Sequence, residues 1–367
     1  MSSRQFYIML CVGVLTMKMQ KLPCLIYGEL GKDGYLLFLA NMLINLLLIC
    51  LVFFVLKKLK SETFGLPNSK RRFSFLKSVL MFFAAIYFLS QALLVYEHIQ
   101  ALFANTLFDN LSWALFSLLL LFAVFFLSHR GIENIALSYE IYFWLIIVSF
   151  VLIALLGSGH TDFSVILPLK AIDFPKVIKN IPRFSFWFGD AILVFILGFK
   201  SKEIKLSKTM LIYGLTMVFM SVMVVEFYGM FGEYSVIQSG LVSVLSSQAL
   251  LGLNIGRIDW FLILFVEMGA ILTCSVYLYY SNECLKPSIP KANPFTLSLV
   301  IIAILYLADV FYFKDMSVKI SFFQGWASWI CFGLQILILF SLLIASWFQK
   351  EKNQPIENKK LKKGLGR

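Results

Sequence analysis

Charge is what this sequence has least of. Only 14% of its 367 residues are Asp, Glu, Lys or Arg, whereas soluble domains carry about a quarter, so an ordinary water-soluble domain is excluded. Histidine is nearly missing too: His98, His129 and His160 fall at or beyond the ends of apolar segments, on different sides of the membrane those segments would cross. No His-x-x-x-His or Cys-x-x-Cys pair occurs, and no Gly-rich phosphate loop precedes a helix. The chain is therefore expected to be no enzyme and to hold neither metal nor cofactor. Cys11, Cys24, Cys50, Cys274, Cys284 and Cys331 lie in or beside apolar segments without paired spacing, as small packing residues do.

What is present is apolar: 60% hydrophobic residues and a mean hydropathy of +0.85. Windows of about 20 apolar residues give ten spans, at 6–30, 35–56, 74–97, 110–128, 139–157, 183–199, 207–228, 259–281, 295–313 and 321–348. The expected fold is an all-α polytopic membrane protein, with a ten-helix domain over 1–348 and a basic, disordered tail over 349–367. The net charge of +12 sits in short loops and that tail, which marks topology and lipid attraction and gives no reason to expect nucleic acid. With the N-terminus inside, 21 Lys and Arg fall on the cytoplasmic side and eight outside, so both termini are expected in the cytoplasm. Arg4 and the run after it resemble a signal peptide. Lys18, Gln20 and Lys21 occupy the cleavage region, however, and Pro23 takes the small-residue position, so the segment reads as a retained first span.

That first span is interrupted. Between Thr16 and Pro23 stand Lys18, Gln20 and Lys21, costly at membrane depth, and Pro23 removes a backbone donor. Such a break either lines a binding site or is a kink with snorkelling lysines. A second interruption, Trp187-Phe188-Gly189-Asp190, opens the sixth span. Breaks in the first and sixth of ten spans fit a 5+5 inverted repeat, about 6–157 and 183–348, with corresponding helices unwound around one site. Two long outer loops complete the plan: 158–182, with three prolines, and 229–258, whose serine-rich run reads as a lid or an interfacial helix.

Candidate ligand-binding residues follow from the breaks and from ionisable or amide groups at depth: Thr16, Met17, Lys18, Gln20, Gln91, Trp187, Phe188, Gly189, Asp190 and Glu267. Several polar residues at depth have a plainer alternative. Lys18 is expected to be buried and paired with Glu97, Asp190, Glu226 or Glu267. Gln91 would hydrogen-bond across helices simply to hold the bundle. Trp187 would anchor at the interface. Glu97 and Glu226, near span ends, would snorkel.

Several stretches together resemble the spore germination permease family, the B subunits of nutrient germinant receptors, within the amino acid–polyamine–organocation transporter superfamily. They are Ser2-Ser3-Arg4-Gln5-Phe6, Pro23, the turn Gly31 to Tyr35, His129 to Ala136 with Glu140, Asp162 with Leu167-Pro168, Phe186 to Asp190, and Gly256-Arg257-Ile258-Asp259. The resemblance implies a subunit that senses an amino acid or similar nutrient in the spore inner membrane, beside a larger A-type membrane subunit and a C-type lipoprotein. The family's first break usually carries glycine, whereas Leu15-Thr16-Met17-Lys18-Met19 has none. Lys18 would then bind an acidic ligand group, replace a coupling cation, pair with a buried acid, or mark a lost site. A plain amino-acid transporter and an assembly subunit with a degenerate site are the alternatives to a sensor.

Overall fold

The computed structural model describes residues 1–59, 71–106, 113–159, 161–162, 164, 173–201, 203–238, 240–241, 259–286, 289, 293–312, 318, 322 and 325–344. Among these there are helices and turns but no strand. In order they are α1 (Ser3–Lys18), α2 (Leu22–Leu30), α3 (Gly34–Leu59), α4 (Arg71–Thr106), α5 (Trp113–His129), α6 (Ile132–Ser158), α7 (Phe174–Phe184), α8 (Asp190–Lys200), α9 (Leu206–Phe231), α10 (Asp259–Leu285), α11 (Pro294–Leu307) and α12 (Trp326–Ile344). Among the described residues, eight segments are long and apolar enough to cross a membrane, and α5 is a shorter apolar helix. The chain is an all-α, multi-pass membrane protein.

Burial sorts the helices. Buried residues make up 83% of the apolar stretch within Phe174–Lys200 and 72% of that within Phe261–Leu285, but only 22% of that within Phe295–Tyr312. The segment from α7 to α8 and α10 are therefore the interior. α11 turns Leu299, Val300, Ile304 and Leu307 outward, a face suited to lipid. α10 packs on α4, α5, α6 and α1, and α1 also meets α8 and α9. Close approach of α1 to α10 depends on Gly269, where an added Cβ would lie 2.7 Å from Thr16 Cγ2. The glycine that permits this contact belongs to the partner helix, so α1 needs none there.

α1 begins with a capping box: Gln5 N donates to Ser2 Oγ (3.2 Å), and Ser2 N donates to Gln5 Oε1 (2.8 Å). Gln5 and Arg4 then reach Glu140 on α6, at 3.2 Å and 3.5 Å. Two of the stretches carrying the family resemblance thus meet at one end of the bundle.

The segment expected as the sixth span starts earlier than the sequence suggests. Residues 174–182, expected within a loop, join 183–184 in α7. Asp173 caps it by accepting from Lys176 N (3.0 Å), and Pro175 occupies the first turn, where its missing N–H costs nothing. Pro182 lies near the helix end. The prolines read as loop residues because their helix-initiating and terminating positions were not recognised. Of the expected loop 229–258, residues 239 and 242–258, with most of its serine-rich run, lie outside the described residues, as does the basic tail 349–367.

Candidate functional site

Both expected breaks are present. α1 ends at Lys18, three residues are unwound, and α2 starts at Leu22 with Pro23 in its first turn. Pro23 therefore starts the second half-helix; its missing donor falls where no intrahelical bond is needed. In the segment expected as the sixth span, α7 gives way to a 3-10 turn, Ser185–Trp187, and α8 begins at Asp190.

The two breaks meet through charge. Lys18 Nζ donates to Asp190 Oδ1 at 2.6 Å, and both side chains are almost fully buried (0% and 1% exposed). Tyr213 OH donates to Asp190 Oδ2 at 2.7 Å, and Lys18 Nζ also lies 5.2 Å from the Phe188 ring centre. Lys18 is the last residue of α1 and Asp190 the first of α8. Each charge thus offsets the dipole of its own half-helix, a cation at a C-terminus and an anion at an N-terminus, and neutralises the other. Of the four acids weighed for Lys18, Asp190 is its partner.

Residues on the other side of α1 turn to α10. Thr16 Oγ1 lies 3.1 Å from Thr273 Oγ1, which is 2.8 Å from Tyr139 OH, and Tyr277 OH donates to Met17 Sδ at 3.5 Å. In the unwound stretch, Gln20 Nε2 donates to Glu267 Oε1, while the Gln20 carbonyl accepts from Leu241 N (3.0 Å). Lys21 Nζ donates to the Gln238 carbonyl. The chain beyond α9 thereby closes over the first break. Tyr228 OH adds a bond to the Pro23 carbonyl (2.9 Å), and Arg183 pairs with Glu29 at 2.8 Å.

Around the second break, glutamine side chains bond backbone carbonyls, one of which, Ser185 O, also accepts from Phe188 N (2.9 Å) within the 3-10 turn. Gln91 Nε2 donates to Phe186 O (2.9 Å) and Gln335 Nε2 to Ser185 O (3.3 Å); both also donate to Tyr87 OH, at 3.2 Å and 3.0 Å. Tyr87 crowds Gly189 so closely that an added Cβ would fall 2.2 Å from its hydroxyl. Gln91 thus braces the break, and Trp187 is buried edge-on to His98 (4.7 Å) instead of sitting at a membrane interface. Glu97 and Glu226, expected to snorkel, are also buried within the protein. Helical rotation, which segment position alone does not reveal, turns all three inward.

The predicted residues therefore divide into Lys18, Phe188, Gly189 and Asp190 at the junction, Gln20 with Glu267, Thr16 and Met17 against α10, and Gln91 and Trp187 around the second break. Sequence reasoning passed over Tyr87, Tyr139, Tyr213, Thr273, Tyr277 and Gln335. Hydroxyl and amide groups in the middle of apolar spans were the available signal. An apolar cleft between α4, α8 and α12, lined by residues such as Leu80, Phe88, Phe195 and Ile338, has Ser341 as its sole polar side chain among the described residues.

A family model described as spore germination protein matches residues 1–318. The chain belongs to this family. Every stretch that carried the resemblance lies inside the match, including both breaks. A comparison with curated proteins found no match. The protein is a germination-related membrane protein.

Proposed function

We propose that the chain is the ligand-sensing membrane subunit of a spore nutrient-germinant receptor, binding a small nutrient such as an amino acid between its two helix breaks. The observation that carries the reading is the buried Lys18–Asp190 pair, which brings the ends of two half-helices together in the protein interior. Binding there favours one arrangement of the bundle, and the A-type membrane subunit and C-type lipoprotein convert that population shift into a germination signal. The reading takes α1 with α2 as the first of ten spans and α7 with α8 as the sixth, which places the breaks at corresponding positions of a 5+5 inverted repeat of the amino-acid permease type. Both termini face the cytoplasm across the spore inner membrane.

The test is thermal unfolding of the purified chain, and of its complex with both partners, across a panel of amino acids, with uptake of labelled substrate in vesicles. A sensor shows a selective rise in melting temperature without sustained uptake; net flux would make it a transporter. One observation favours an assembly role: Lys18 and Asp190 already satisfy each other. In that case no amino acid shifts either preparation, and spores carrying Lys18→Ala or Asp190→Ala germinate normally provided the complex assembles.

A further inference from the structure

The charges at the two breaks can be followed one at a time. Lys18 and Asp190 neutralise each other, and Tyr213 takes the second oxygen of Asp190. The C-terminal end of α1 and the N-terminal end of α8, which would otherwise attract a ligand's ammonium and carboxylate, are thus occupied by the protein's own side chains. Lys21 turns its ammonium onto the Gln238 carbonyl. No cation among these is left for a ligand carboxylate.

Glu267 is different. It is fully buried on α10, beside the unwound stretch of the first break. Its Oε1 accepts from Gln20, but its Oε2 has no hydrogen-bond partner among the described residues. A buried carboxyl oxygen left without a donor is costly, and an ammonium supplies both the donor and the opposite charge. Building on the sensor reading above, we infer that Glu267 recognises the ammonium group of the ligand through Oε2, so that the site takes a small primary amine whose carboxylate is dispensable. Gln20 is the positioning residue: it fixes the carboxyl through Oε1 and ties it to the break, so an occupied Glu267 pulls on the strand between α1 and α2.

The test uses matched probes on the purified full-length chain and on the co-expressed three-subunit complex. Alanine, valine and leucine are each compared with the amine lacking the carboxylate (ethylamine, isobutylamine, isoamylamine) and the acid lacking the amine (propionate, isovalerate, 4-methylpentanoate). Thermal stabilisation is read against concentration. The expected result is that an amino acid and its matching amine both stabilise while the acid does not. Glu267→Gln, which keeps the volume and the acceptor for Gln20, is expected to raise the half-maximal concentration for both by more than about tenfold, the loss of one charge-assisted hydrogen bond. Glu226→Gln, another buried glutamate with an unpartnered oxygen, serves as the control and leaves the response unchanged. Stabilisation by the acid and not the amine overturns the inference, as does an undiminished response in Glu267→Gln. The comparison of amine with acid needs no variant, so it decides even where Glu267→Gln folds poorly. A blank for every probe in both preparations instead overturns the sensor reading itself, and the inference with it.

Discussion

Between Lys18 and Leu22 the first break runs through Met19, Gln20 and Lys21 without a glycine; between Phe184 and Asp190 the second runs from Ser185 and ends on Gly189. The first is opened by what it projects. Met19 keeps an ordinary backbone conformation (φ −87°, ψ 15°), while Lys18, Gln20 and Lys21 reach in three directions, to Asp190, Glu267 and the Gln238 carbonyl. The second is held by what is projected onto it: Gln91 and Gln335 hold its carbonyls, and Tyr87 presses against Gly189. Two carbonyls of the second break are braced by side chains from other helices, whereas the first break has its Gln20 carbonyl held by Leu241 N and makes its other contacts through its own side chains. A lysine can stand in the first break because no close backbone approach there requires glycine.

The comparison is broken most severely by separating the two charges. Lys18→Ala or Asp190→Ala each leaves a buried charge without its partner and is expected to lower stability by about 3–5 kcal/mol, read by thermal unfolding in detergent. Gly189→Ala comes next. Its Cβ would meet Tyr87 Oη at 2.2 Å, and overpacking of this kind costs about 3 kcal/mol, part of which Tyr87→Phe should restore. Gln91→Leu strips the donor from the Phe186 carbonyl and is expected to cost about 2 kcal/mol. The smallest effect belongs to the first break's outer contact. Lys21→Met, which removes the bond to the Gln238 carbonyl, should cost about 1 kcal/mol or less. It should also speed labelling of the buried Cys24 thiol two helix positions beyond Leu22, where Gln91→Leu does not.

Much of this was legible in the sequence because cost reveals it. A lysine, a glutamine and a proline inside an apolar run have few stable placements, so the first break and the buried pairing of Lys18 follow from composition and depth. Gly189-Asp190 marked the second break for the same reason. What escaped was rotational: whether Glu97, Glu226 and Trp187 face protein or membrane depends on helix phase, and uniformly apolar spans carry little periodic signal. The extension of the Phe174–Lys200 segment back to Phe174 escaped because Asp173 and Pro175 form a helix start that resembles a turn. The bracing by Tyr87 and Gln335 joins residues far apart in the chain, and no local pattern announces it.

The most direct test of the account is a double-mutant cycle on Lys18→Met and Asp190→Leu, read as the free energy of unfolding. If the pair joins the two breaks, each single change is strongly destabilising, the double variant regains most of the loss, and the coupling is about 2 kcal/mol or more. Losses that add to within about 0.5 kcal/mol would mean the two charges act independently, and the two breaks would not form one site.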